Sequence, residues 1–313
     1  MSHICEMNVD GNVRELLRNV TAHDHVAPLS DGVLDAFVQV ADSSSRASAG
    51  TDVQAPISLG YVVDDQLAGF GAVVNQGERS ALEMCVAAEF RGRGGGRLLA
   101  KNLLMRAREA GVAARTWAWA HGDHPAAKAL AESFGFSRER VLLQLSTKTV
   151  EEGLAVPNVN TPSGVSIRTY QPGDEVRWRE INNAAFSWHP EQGNQTTQDY
   201  ARIVGNSSFD PASVFFAVQN GEVVGFHHTK IHTDHPSGLT MGEVYVIGVD
   251  PRVHSRGLGT ALMIAGMRHL VDSGVDAIEL YVESDNDSAR HMYSKLGFVN
   301  EIRHISYAPQ DHT

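Results

Sequence analysis

The feature that most limits the fold is a long repeat that occurs twice. Val86-Ala87-Ala88-Glu89-Phe90-Arg91-Gly92-Arg93-Gly94-Gly95-Gly96-Arg97 in one half corresponds to Val249-Asp250-Pro251-Arg252-Val253-His254-Ser255-Arg256-Gly257-Leu258-Gly259-Thr260 in the other. Gly94 and Gly257 stand 163 residues apart; Phe136 and Phe298, each following a glycine, stand 162 apart. Solenoid units run to about 20–45 residues, so this period marks a duplicated domain. At about 150 residues per domain, the 313 residues hold two, each large enough for its own core. A Pro-, Gly-, Asn- and Thr-bearing stretch over 146–164 reads as a linker. The expected domains are 1–150 and 151–313.

Both halves run through strand and helix signals in the same order. In the second, a strand starts at Val165, and 213–219 is β-branched and aromatic. Asn220-Gly221 then turns the chain into a strand over 222–231, a hairpin signature. A strand over 243–249, a helix over 257–273, a strand over 277–282, a helix over 287–296 and a strand over 298–307 follow. In the first half, strands over 57–63, 67–75 and 81–87 lead to a helix over 94–110, a strand over 115–120, a helix over 125–133 and a strand over 137–146. The expected class is α/β: a mixed, hairpin-rich sheet with crossover helices, built twice.

Charge and composition narrow the function. With 26 basic and 37 acidic residues the net charge is −11, against a nucleic-acid or anionic-membrane binder. No apolar run approaches the roughly 18–20 residues of a membrane span, and the polar start, Met1 to Gly11, is unlike a signal peptide. Two cysteines make neither a disulfide framework nor a four-thiolate site and fit a reducing cytoplasm. Phosphate ligands stay open, because backbone amides at a helix N-terminus bind them whatever the net charge.

The glycine-rich segments are the sharpest local signal. Each follows a strand and opens a helix. Glycines let a ligand approach the backbone, the helix dipole adds positive potential, and Arg91, Arg93, Arg97, Arg252 and Arg256 supply cations. A tight strand-to-helix turn would use the same residues. The acid about 20 residues on that a dinucleotide fold wants is missing, and so is the Gly-Lys-Ser/Thr of a P-loop. The Arg-x-x-Gly-x-Gly spacing at Arg91–Gly96 resembles the acyl-coenzyme A pyrophosphate loop of the GCN5-related N-acetyltransferase superfamily, as does the later helix ending in Gly-Phe. His254 departs from that motif in the second half.

Longer motifs in the second half sharpen the resemblance. They are Ile181-Asn182-Asn183-Ala184-Ala185-Phe186, His189-Pro190-Glu191-Gln192-Gly193, Gly225-Phe226-His227-His228-Thr229-Lys230, Gly242-Glu243-Val244-Tyr245-Val246-Ile247-Gly248-Val249 and Leu280-Tyr281-Val282-Glu283-Ser284-Asp285-Asn286. The set resembles the mycothiol synthase family, tandem acetyltransferases of actinobacteria. The resemblance implies transfer of acetyl from the cosubstrate acetyl-CoA to the cysteinyl amine of desacetylmycothiol, by a cytoplasmic monomer without a metal. It implies acetyl-CoA contacts at Ile247, Gly248, Val249, His254, Ser255, Arg256, Gly257, Leu258, Gly259 and Thr260, and at Asn286, Asp287, Ser288, Ala289, Arg290 and His291. In the first half it implies them at Met84, Cys85, Val86, Gly92, Arg93, Gly94, Gly95, Gly96 and Arg97. Substrate contacts are implied at Asp31, Glu191, Lys230, Glu243 and Tyr281.

Direct amine acetylation needs a base for the amine proton, polarisation of the thioester carbonyl and an acid for the leaving thiolate. Within the resemblance Glu243 is the candidate base and Tyr293 the candidate acid. Apart from it, they read as a strand-end carboxylate and a packing tyrosine. The same offsets in the first half fall on Ser80 and Ala131, with Glu83 three residues out of register. The expectation is a catalytic second half and a degenerate first half that still binds acetyl-CoA. Two other readings remain: a tandem acetyltransferase for an aminoglycoside or polyamine, and a non-catalytic acyl-CoA sensor. His227, His228, His232 and His235 match no standard metal spacing and read as pocket wall or satisfied polar residues. Cys85 reads as a small core residue, and 43–50 as a flexible loop.

Overall fold

The computed structural model describes residues 1–45, 55–187, 192–253 and 257–310. Most of the stretch expected as a loop over 43–50 therefore lies outside the described residues; its first three close a helix.

The chain divides into two compact units, Met1–Leu142 with Ile302–Thr313, and Leu143–Glu301. In the first, β1 (Ser2–Glu6) precedes α1 (Gly11–Asp24) and α2 (Asp31–Ser45). Then come β2 (Ile57–Val63), β3 (Gln66–Gln76), β4 (Arg79–Val86), α3 (Gly95–Glu109), β5 (Thr116–His121), α4 (Pro125–Ser133) and β6 (Phe136–Thr147). β1 to β4 form an antiparallel meander, and β5 joins β4 in parallel after the α3 crossover. Period-2 alternation turns Phe70, Ala72 and Val74 of β3 to one face, where Val13, Leu16, Val20 and Val33 of α1 and α2 cover them. Leu99, Leu103 and Ala107, four apart along α3, cover Leu59, Tyr61, Val73 and Leu82 on the other face. Burying each such Val, Leu or Phe side chain contributes about 1.5–3 kcal/mol.

The second unit repeats the plan. β7 (Val165–Thr169) leads to α5 (Glu175–Ala185) and α6 (Thr197–Gly205). β8 (Val214–Gln219), β9 (Glu222–His232), β10 (Met241–Val249), α7 (Leu258–Asp272), β11 (Ala277–Glu283), α8 (Asp287–Lys295) and β12 (Phe298–Pro309) follow. Trp178, Ile181 and Tyr200 of α5 and α6 pack on Phe216 and Phe226, while Leu258 and Leu262 of α7 pack on Val165, Ala217 and Val224. Asn220, at φ 53°, turns β8 into β9 as its Asn-Gly pair requires.

The units are not the two continuous halves 1–150 and 151–313. His304, Ile305, Ser306 and Tyr307 of β12 pair antiparallel with His121, Ala120, Trp119 and Ala118 of β5, so the last strand closes the first unit's sheet. The end of β6, from Leu143, belongs to the second unit, where Thr147 Oγ1 accepts from the Ile278 amide at 3.0 Å. Alternation along 137–146 and 298–307 shows two strands; it does not say which neighbour each will pair with.

Candidate active site

In each unit two parallel strands begin as a ladder and then part. β10 and β11 pair only from Met241–Ala277 to Val244–Leu280, although both run on. β4 and β5 pair only from Ser80–Thr116 to Leu82–Ala118. A register shift between Val244 and Val246 on the β9 side inserts Tyr245 as an extra residue, a bulge that bends β10 where the ladder ends. Beyond each fork the chain turns into a helix through a left-handed glycine: Gly94, φ 82°, before α3, and Gly257, φ 85°, before α7. Neither helix has a side-chain N-cap, so the first-turn amides carry the positive end of the dipole unneutralised.

Register gathers the second unit's polar residues. Glu243 lies opposite Lys230 of β9 and opposite Glu279 of β11, and paired residues share a face. Alternation adds His228 and His232 of β9 and Tyr281 of β11 to that face. Glu243 Oε2 is 2.8 Å from His232 Nε2, with the carboxylate 12% and the imidazole 28% exposed. Lys230 Nζ sits 3.2 Å over the Tyr245 ring. His228, packed edge-on between Trp178 and Tyr245, is pushed down to about 3 by burial and by Lys230, and stays neutral. Glu279 is held by Gln144 Nε2 at 2.6 Å and His235 Nε2 at 3.4 Å. Tyr293 stands on α8, buried against Phe298, where desolvation raises its phenol and keeps the proton on.

The first unit fills its fork differently. A cavity of about 270 Å³ opens there. Met84, Cys85 and Val86 of β4, Gly92 of the loop, Gly96 of α3, and Trp119 and His121 of β5 line it. Ala131 of α4, at the position matching Tyr293, lines it too. Burial pushes the Cys85 thiol up to about 12, which suits a core residue. Glu83 is buried, and both its oxygens are taken: Oε2 by the Ser30 amide at 2.6 Å, Oε1 by the Ser30 hydroxyl at 2.8 Å. It anchors the start of α2, and its Oε2 also lies 3.5 Å from Nε2 of His121, which lines the fork.

The profile of the acetyltransferase (GNAT) family matches residues 33–136 and 176–298, once in each unit. A mycothiol acetyltransferase of Nocardia farcinica is 39% identical over 302 residues, covering 95% of this chain and 92% of its own. One of Mycobacteroides abscessus is 38% identical over 298 residues, covering 94% of each. The chain belongs to the mycothiol acetyltransferase family. Two solved structures share the fold: a GCN5-related N-acetyltransferase of Sphaerobacter thermophilus, with TM-score 0.72, 19% identity and coverage of 98% and 94%, and a tandem GNAT protein of the clavulanic acid pathway, with TM-score 0.69, 16% identity and coverage of 99% and 100%.

Against that family's chemistry, the residues expected from the sequence fall into three groups. Lys230, Glu243 and Tyr281 meet on one face, and Ile247, Gly248, Val249, Gly257, Leu258, Gly259 and Thr260 border the fork and its helix. Glu191, His254, Ser255 and Arg256 lie outside the described residues. Asp31 is in the first unit, in the exposed first turn of α2.

Several side chains are committed elsewhere. The Arg91 guanidinium takes both oxygens of Asp24 at 2.8 and 2.6 Å, and its Nε donates to the Val86 carbonyl. Arg252 holds Asp250, which Arg177 also grips; the two guanidinia keep that carboxyl well below the usual range. Read from sequence as phosphate cations, Arg91 and Arg252 are structural ion pairs that pin the loop. Arg97 bonds the Ser133 hydroxyl at 2.8 Å, and Arg93 lies 5.8 Å from the Phe90 ring. Asn286 caps α8 by accepting from the Ala289 amide, and Arg290 donates to the Ser284 carbonyl.

The histidines separate. His227 is fully buried, its Nδ1 2.8 Å from the Leu262 carbonyl oxygen, and desolvation lowers it to about 4. His232 and His235 each meet a carboxylate. Among the described residues no group of three or more His, Cys, Asp or Glu is arranged to hold a metal, and no helix is long and apolar enough to cross a membrane. Sequence reasoning missed Glu279 and the Glu–His pairs His121–Glu83, His232–Glu243 and His235–Glu279. The signal was present in the i, i+2 spacing of Lys230 and His232, but the partners arrive from neighbouring strands.

Proposed function

We propose that the chain transfers the acetyl group of acetyl-CoA to the cysteinyl amine of desacetylmycothiol, giving mycothiol and CoA, in a ternary complex in the second unit. The observation that carries this reading is the convergence of Glu243, Lys230 and Tyr281 on one face at the point where β10 and β11 part, beside a glycine-led helix start. Glu243 takes the amine proton, directly or through a water. The backbone where β10 and β11 part would offer an amide to the thioester oxygen as it gains charge. Tyr293, kept protonated by burial, gives its proton to the leaving thiolate and regains one from solvent. The bare N-terminus of α7 suits the pyrophosphate of the cosubstrate.

Lys230 and Tyr281 offer a cation and a phenol to a hydroxyl-rich sugar–inositol substrate. Asp31 and Glu191 are kept as substrate contacts on the family resemblance alone. The first unit binds acetyl-CoA in its 270 Å³ cavity without turning it over, and the protein works as a cytoplasmic monomer. The test is thiol release from acetyl-CoA with desacetylmycothiol, free cysteine, glucosamine or a polyamine as acceptor. Strong preference for desacetylmycothiol is expected. Preference for another amine would move the substrate, and CoA binding with no turnover would leave a sensor.

A further inference from the structure

The arrangement around Glu243 is more specific than a base on a strand. Glu243 faces Lys230 across the β9 ladder and Glu279 across the β11 ladder. Lys230 is drawn to the Tyr245 ring, 3.2 Å away. Glu279 is a like charge held in place by Gln144 and His235. His228, two residues before Lys230, is neutral. The Glu243 carboxylate meets His232, whose Nε2 lies 2.8 Å from Oε2. His232 sits at the end of β9, opposite Met241 and diagonal to Glu243, and is more exposed than the carboxylate.

We infer that His232 is a positioning residue of the acetyl-transfer site: its Nε2–H fixes one oxygen of Glu243 and leaves the other oxygen for the amine proton. This rests on Glu243 being the base. A glutamate has three rotatable bonds. One donated hydrogen bond removes much of that freedom and aims the remaining oxygen at the substrate.

The experiment compares His232→Ala, His232→Gln and Glu243→Gln in thiol release with desacetylmycothiol. His232→Ala is expected to lower kcat about 10- to 100-fold, the effect of losing a hydrogen bond to a charged group. It should leave the KM for acetyl-CoA unchanged. His232→Gln, which keeps an N–H donor, should recover most of the rate. A wild-type rate in His232→Ala overturns the inference, as does His232→Gln being equally impaired while folded by its thermal melt. Glu243→Gln separates the two readings. If it keeps full rate, the base assignment fails; if it is inactive while His232→Ala is normal, only the role of His232 falls.

Discussion

In the first unit β4 carries its carboxylate, Glu83, to the start of a helix, where Ser30 bonds both oxygens and His121 lies 3.5 Å from one of them. In the second, β10 carries Glu243 to a face shared with Lys230, Glu279 and Tyr281, where a single histidine holds one oxygen. The strand fork, the left-handed glycine and the bare helix N-terminus are common to both. What differs is what the fork is left free to do. Where the second unit has Tyr293, the first has Ala131 and a cavity. We propose that the second unit is the catalyst because its carboxylate is held at one oxygen by a histidine and a protonated phenol stands on the helix after β11.

The sharpest way to break this comparison is to neutralise each carboxylate. Glu243→Gln should lower kcat by about 10²–10⁴-fold, the usual worth of a positioned base. Glu83→Gln should leave kcat within a few fold and cost about 1–3 kcal/mol of stability by loosening two hydrogen bonds at a buried cap, read by denaturant unfolding. The phenol makes the second pair. Tyr293→Phe should lower kcat by at least about 10²-fold. Ala131→Tyr should fill the first unit's cavity, abolish acetyl-CoA binding there in calorimetry and leave turnover unchanged.

The helix seats of the two units give a structural contrast. A Cβ on Gly266 of α7 would lie 2.2 Å from the buried His227 ring, and one on Gly95 of α3 would lie 2.3 Å from Tyr61. Gly266→Ala and Gly95→Ala should each cost about 1–3 kcal/mol by overpacking, read as a lower denaturation midpoint. The smallest effect is on acid stability. His227 and His228 titrate near 4 and 3 in the fold, against about 6.5 unfolded. As pH falls from about 6.5 to 4 the unfolded chain takes up protons that the folded unit does not, so stability is lost over that window. His228→Phe should reduce the proton uptake on unfolding at pH 5 by about one.

Much of this architecture was legible because its signals are local. The Asn220-Gly221 hairpin, the 94–110 and 257–273 helices and the strands before them follow from turn chemistry and spacing, and the structure places them within a few residues. The helices α1, α5 and α6 went unread although their caps were visible, in Asp10 before Val13 and in the Thr196–Asp199 capping box. They precede the repeat that organises the reading. The exchange of β12 was not legible, since alternation fixes faces and not partners. At the site, residue types and offsets pointed to Glu243, Lys230 and Tyr281, whereas Glu279, His235 and the Arg91–Asp24 pair depend on contacts between residues 44 or more apart. Charge alone could not tell a phosphate cation from a loop-pinning arginine.

The most direct test of the central claim is steady-state thiol release from acetyl-CoA with desacetylmycothiol by Gly94→Val and Gly257→Val, each shown to be folded. A β-branched residue cannot hold either left-handed turn without strain. The account predicts that Gly257→Val loses turnover while Gly94→Val keeps the wild-type kcat and loses only the first unit's acetyl-CoA. Loss of turnover in folded Gly94→Val, with Gly257→Val still active, would place the chemistry in the first unit and contradict it.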